Sequence, residues 1–266
     1  MFDTDREQAR KTYQLCRFGF SSYGAALVVA ALTAVIDLLW IFHLEQARWI
    51  HSLPWYRWLD TPIVWCRLIG AILLWGRWDQ KSWQRRTSLL LALCVADLAL
   101  WFVARGEMLG LHGGDVGHEW LRYMIGNAMS WGRLALLSSL AGDYLVHLGV
   151  ENAHESDKLT RSMTVTGALV WMLFVCQQTN WAVWPLQHGG KRNLESELLL
   201  HGFNLIYTIT LIQVTALVLS ASRQSTVVLA EMDREDQEDD LLRPQADVYQ
   251  DSNAGWFEDD IPAAKK

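Results

Sequence analysis

Four charged residues interrupt stretches that are otherwise apolar: Asp37, Arg67, Asp97 and Arg133. A charge at the centre of a bilayer costs about 2.5–3.5 kcal/mol on insertion scales, so such residues either pair or serve a function. At the helical rise, Asp37 lies roughly 9 Å inside one end of its apolar run, and Arg67 roughly 8 Å inside the facing end of the next. Asp97 and Arg133 each fall near the middle of their runs. Depth matching therefore predicts two pairs, Asp37–Arg67 and Asp97–Arg133. Two chemistries fit them. The pairs neutralise themselves and fix helix packing, or they form a gated ion pair or proton relay along a transport path. Loss of flux with the fold retained in Asp97→Asn marks the second. Loss of yield alone marks the first.

Uncharged polar residues gather near the same depth. His201, Asn204, Thr208 and Thr215 follow steps of 3, 4 and 7, which places them on one helical face. Asn127, Ser130, Ser138 and Ser139 lie in the Arg133 run, and Gly126 to Ser130 is a small-xxx-small spacing suited to close helix contact. Gln177, Gln178 and Asn180 end another run. Asn127, Gln177, Gln178, Asn180, His201, Asn204 and Thr208 thus outline a polar cavity. The alternative is interhelical hydrogen bonding, at about 0.6 kcal/mol per contact.

A third group is His112, Asp115, His118 and Glu119 in the segment LHGGDVGHEW. The spacing H-x-x-D-x-x-H-E offers ligands for Zn, Cu or Ni if the glycine-rich loop wraps an ion. It matches no metal motif, and solvated loop polarity accounts for the same residues. Haem requires histidines at matching depth, and His147 and His201 fall near opposite faces. No cofactor is assigned. GxxxxGK[ST], GxSxG, HExxH and a dinucleotide fingerprint are all absent. No catalytic set emerges, and the sequence leans away from an enzyme. The four cysteines, Cys16, Cys66, Cys94 and Cys176, show no CxxC spacing and read as free or core thiols.

The elements that position these residues are apolar runs of helix length. Only helices and closed barrels satisfy their backbone in lipid, so the predicted fold class is an all-α polytopic membrane bundle. About six spans are expected, at 20–43, 62–78, 87–104, 120–149, 163–186 and 198–221. Four spans remain as the alternative, with 62–78 and 120–149 lying beside the membrane because each carries internal charge. Residues 1–17 form a polar N-terminal segment with no cleavable signal peptide. Lys and Arg number 11 on the side of the termini and 6 on the other, which places both termini in the cytoplasm and the chain in the cell membrane. Most of the 15 tryptophans fall near span ends, as an interfacial belt requires. Trp75, Trp78 and Trp83 are assigned there to the inner interface.

Charge then separates the tail from the body. From Glu231 onward there are 12 acidic and 4 basic residues, a net −8, against +2 for the rest. Residues 223–266 read as an acidic tail, disordered by composition, whose plain role is solubilisation and whose alternative role is docking of a protein partner at Ala254 to Ile261. No basic patch interleaved with exposed aromatics suggests nucleic acid. The leading expectation is a small polar-lined bundle that handles an ion, proton or small solute. The alternatives are a non-catalytic scaffold or sensor acting through the acidic tail, and a metal- or haem-dependent redox protein.

Overall fold

The computed structural model describes residues 2–41, 58–76, 80–108, 116–150, 158, 160–162, 164–169, 172 and 194–254. Among the described residues there is helix and turn and no strand. The long helices among the described residues are α1 (Phe2–Ile41), α2 (Asp60–Leu74), α3 (Lys81–Met108), α4 (Val116–His147) and α5 (Leu194–Ala254). Residues 160–162 and 164–169, between α4 and α5, are also helical.

Three of these helices, α1, α3 and α5, are long and apolar enough to cross a membrane. The outward faces are apolar as well. Leu32 on α1, Ile69 on α2, Phe102 on α3, Val146 on α4 and Ile212 on α5 are all exposed. A water-soluble bundle would place polar residues there, whereas lipid accepts apolar ones. α2 has 15 residues, about 22 Å at the helical rise, which is less than a ~30 Å hydrocarbon core. Pro62 sits in its first turn, where a missing N–H breaks no helical bond.

The helices close into a ring. α2 packs on α1, α3 on α2, α4 on α3, α5 on α4, and α5 returns to α1. The α1–α2 contact is tightest at two glycines. A Cβ on Gly70 would lie 2.9 Å from the Gly19 carbonyl oxygen, so the two backbones approach closely where side chains are absent. Among the described residues, a Cβ on Gly126 meets nothing within 4 Å.

Contacts fix the helix directions. Trp131 packs on Phe203 and Tyr207, and Tyr144 meets Ser225, so α4 and α5 run parallel. Arg6 meets Glu235 and the Ser222 hydroxyl donates to the Arg17 carbonyl, so α1 and α5 run antiparallel. The described segment after α4 lies back along it: Arg161 meets Asp143, and a Cβ on Gly167 would meet the Trp131 ring. We call the end that carries the start of α1 the proximal end, and the other the distal end. α4 stops at the proximal end in a Schellman turn. Val150 N–H donates to the Leu145 carbonyl at 3.1 Å and Gly149 N–H to that of Val146 at 3.0 Å, with Gly149 at φ +70°.

The core runs along the ring, from Ile63, Trp131 and Phe203 towards the distal end to Phe20, Trp83 and Tyr144 at the proximal end. Phe20, Trp83 and Tyr144 are buried, with the Tyr144 ring 5.2 Å from Phe20 and 6.5 Å from Trp83. Trp83 is not part of an interfacial belt. Its indole N–H donates to the Leu74 carbonyl at 3.2 Å, closing the turn between α2 and α3 from inside. Trp58, Trp65 and Trp75 are exposed.

Two boundaries drawn from composition are not breaks in the backbone. α1 runs unbroken past residue 17, and α5 past residue 222 to Ala254. The acidic stretch expected to be disordered is helical. Arg6 binds Glu235 at 2.8 Å and Asp236 at 3.2 Å, and Arg10 binds Asp236 at 3.2 Å and also Asp233. The basic first turns of α1 thus offset the repulsion that composition alone assigns to this stretch.

Candidate functional site

Asp97 stands one turn above Cys94 on α3 and faces the ring interior. Arg133 of α4 places Nη1 2.6 Å from Asp97 Oδ2, and Arg67 of α2 places its own Nη1 3.5 Å from the same oxygen. Three consecutive helices thus meet at one carboxylate oxygen. Arg133 Nη2 donates to Ser130 Oγ at 2.9 Å, within α4. Arg133 is buried, and Arg67 and Asp97 are nearly so. In so little water an ion pair is screened weakly, and removing either partner strands a charge.

This cluster is the floor of an open cleft of about 370 Å³ at the distal end of the ring. The lining residues step along each wall by the same amount. They run from Ala30 to Asp37 on α1, from Arg67 back to Asp60 on α2, and from Arg133 back to Gly126 on α4. Seven residues at the helical rise give a depth of roughly 10 Å. Helix direction then sorts the charges into layers. Arg67, Asp97 and Arg133 lie deepest, while Asp37 and Asp60 lie at the mouth with Trp101. Tyr207 supplies the α5 wall.

Below the floor the bundle is sealed. A void of about 10 Å³, no more than one water, lies between the two arginines and Leu27, Leu134, Leu137 and Leu211. Beside it the Tyr23 hydroxyl meets Cys94 Sγ at 3.6 Å, both buried. The Phe20–Tyr144–Trp83 cluster follows. Among the described residues the cleft is therefore open at one end and closed by apolar packing at the other.

The residues marked in the sequence are distributed as follows. Asp97 and Arg133 are in contact, and Arg67 reaches Asp97 from the other side. Asp37 lines the same cleft as Arg67. Asn204 is half-buried on α5, and Thr208 is buried with its hydroxyl donating to the Asn204 carbonyl at 2.8 Å. Thr210 and Thr215 do the same with Ile206 and Leu211, at 2.8 and 2.6 Å. These threonines satisfy themselves within their own helix, and Tyr207 is the α5 residue that faces the cleft. Asn127 is half-buried on α4, outside the cleft lining. Gln177, Gln178, Asn180, His112 and Asp115 lie outside the described residues, as do the side chains of His118, Glu119 and His201. Among the described residues no group of three or more His, Cys, Asp or Glu could hold a metal ion. Asp60, Trp101 and Tyr207 were not singled out from sequence. Asp60 reads as loop there, and nothing in the spacing of the aromatics separates Trp101 and Tyr207 from the belt.

A second cluster of the same composition occupies the proximal end. Asp143 of α4 accepts Arg86 of α3 at 2.6 Å and Arg161 of the segment after α4 at 3.1 Å. Arg86 also donates to Ser139 Oγ at 2.5 Å.

Comparison with known proteins finds no matching family model, no matching curated sequence and no matching solved structure.

Proposed function

We propose that this chain is a multi-pass protein of the cell membrane that admits a small polar solute or ion into the distal cleft. The observation that carries this reading is the Arg67–Asp97–Arg133 floor of a 370 Å³ open cleft, set in a bundle whose outer faces are apolar. A purely structural ion-pair cluster needs no 370 Å³ opening above it. The sealed layer below the floor fits a solute-handling protein in one of two access states, since a continuous pore would leak.

In this reading the chain crosses six times, with both termini cytoplasmic and the cleft facing outward. The parallel run of α4 and α5 supports that count, because it obliges the chain to cross back between them. The excess of Lys and Arg at the proximal end supports the orientation. The test is stopped-flow light scattering of liposomes containing the protein, under gradients of glycine, acetate or methylammonium. Faster solute entry than in protein-free liposomes, lost in Arg67→Gln, is the expected result. Equal rates with and without protein for all three would remove the transport element.

A scaffold or sensor role through the acidic tail is the second reading. It is favoured by the ordered helix that holds Asp233, Glu235 and Asp236 against Arg6 and Arg10. A partner of basic character would have to displace α1 from those carboxylates. Deleting residues after Met232 would then abolish partner capture and leave membrane insertion intact.

A further inference from the structure

Asp97 balances the charge of one arginine in the cleft floor and leaves the other in excess. Arg67 Nη1 donates to Asp97 Oδ2 at 3.5 Å, a long bond, and Arg133 Nη1 approaches the same oxygen at 2.6 Å. That approach lies off the N–H direction, so Arg133 Nη1 is buried with no hydrogen-bond partner among the described residues. Arg133 is 4% exposed and lines the cleft, so this donor is cut off from bulk water and turned towards the cleft floor. The proximal cluster has no such gap. Arg86 there reaches both Asp143 and the Ser139 hydroxyl, and its surroundings are wetter. A buried donor without an acceptor is costly, and a buried charge without a counter-charge more so. A water molecule at the floor would fill the donor and leave the charge. An anion fills both.

We infer that the cleft floor binds the carboxylate of a small monovalent anion between Arg67 and Arg133, a ligand class that rests on the reading of the cleft as a solute site. The single excess positive charge selects a monovalent ligand, because a dianion would reverse the sign of a floor enclosed by apolar walls. The planar guanidinium fork matches the two oxygens of a carboxylate better than it matches a spherical ion. The cleft volume of about 370 Å³ leaves room for the rest of a small solute and some water above the carboxylate. Asp37 and Asp60 line the cleft farther out and make interactions of their own, so neither serves the floor as a counter-charge or the ligand as a second contact. Their separation from the floor, about 10 Å at the helical rise, is about one Debye length at moderate salt.

The experiment is thermal unfolding of the purified full-length protein in mild detergent at neutral pH. Sodium lactobionate, the salt of a bulky disaccharide acid, holds the ionic strength constant. Acetate is the monovalent carboxylate probe, succinate the divalent one, chloride the inorganic anion and tetramethylammonium the cation. A ligand that binds only the folded state raises Tm with its concentration. Acetate is expected to raise Tm saturably, with an apparent affinity about tenfold tighter than succinate or chloride, as one charge-assisted contact requires. Arg67→Lys keeps the charge and removes the fork, so acetate is expected to fall to the level of chloride. Arg67→Gln removes the excess charge, and no anion is then expected to shift Tm. Asp143→Asn, at the other end of the bundle, is expected to retain the full acetate response. Chloride matching acetate in the unaltered protein would overturn the carboxylate in favour of an inorganic counter-ion. Succinate matching acetate would overturn the charge count, and a shift from tetramethylammonium alone would overturn the anion. No shift from any probe would also overturn the proposal. Entry of glycine or methylammonium into liposomes would then preserve the solute reading, and no entry of any solute would remove both.

Discussion

Two clusters in this molecule have the same composition, two arginines on one aspartate, and differ in where the fold puts them. At the distal end Arg67, Asp97 and Arg133 are 13%, 17% and 4% exposed. At the proximal end Arg86, Asp143 and Arg161 are 21%, 43% and 48% exposed. The separations are nearly equal, 2.6 and 3.5 Å against 2.6 and 3.1 Å. Geometry alone would rank them together. Solvent separates them, because water and salt screen the proximal cluster while apolar walls surround the distal one. The proximal cluster ties α3, α4 and the following segment at a boundary where charges are at home. The distal cluster places charge where it is costly, beneath an opening large enough for a solute.

This contrast can be broken by mutation. The largest effect is expected from Asp97→Asn, which leaves Arg67 and Arg133 facing each other with no counter-charge. Breaking a buried pair costs about 3 kcal/mol or more, so Tm in detergent should fall markedly, and solute flux should be lost in the protein that still folds. A Tm equal to that of the unaltered protein would show that the distal arginines are hydrated and that burial does not distinguish the clusters.

Arg67→Gln sharpens the comparison by leaving the Asp97–Arg133 pair intact and neutral. Stability should change by less than about 1 kcal/mol, while the response to solute is lost. Unfolding of this variant would place Arg67 with the structural pairs. Asp143→Asn should cost about 1 kcal/mol or less, and the difference should shrink as salt is raised, which Asp97→Asn should not show. A salt-independent loss there would mean that the two ends share one environment. The smallest effect is expected from Arg10→Gln at the junction of α1 and the acidic stretch. Amide exchange should rise from Asp233 to Glu238 and stay unchanged in the ring, and high salt should mimic the substitution.

How much of this was legible follows from what a sequence can encode. The helical fold was legible, because apolar runs long enough to cross lipid have few other outcomes, and three of them are helices of that kind. The meeting of Asp97 with Arg133 follows from depth matching, since a mid-run charge in a packed bundle needs a partner at its own level. The sharing of Asp97 with Arg67 does not follow, because it depends on α2 standing between α1 and α3. The polar stripe of α5 misleads for a different reason. Spacing shows that threonines share a face, but not that each hydroxyl returns to a carbonyl of its own helix. Composition likewise cannot see that Glu235 meets an arginine 229 residues away, and so it reads an ordered helix as a disordered tail. Asp143, Arg86 and Arg161 lie near run ends, where every charge looks solvated, so no signal marked them as a cluster.

The central claim is that the cleft above Asp97 is open to the outside of the membrane and sealed beneath. Ala34 lines the cleft, whereas Ala26, two turns nearer the proximal end of α1, is buried below the floor. With Cys66 and Cys176 replaced by serine, Ala34→Cys and Ala26→Cys can be exposed to a charged, membrane-impermeant thiosulfonate in right-side-out membrane vesicles. The expected result is rapid labelling at position 34 and none at position 26. Labelling at position 34 only after the vesicles are permeabilised, or equal labelling at both positions, would contradict the account.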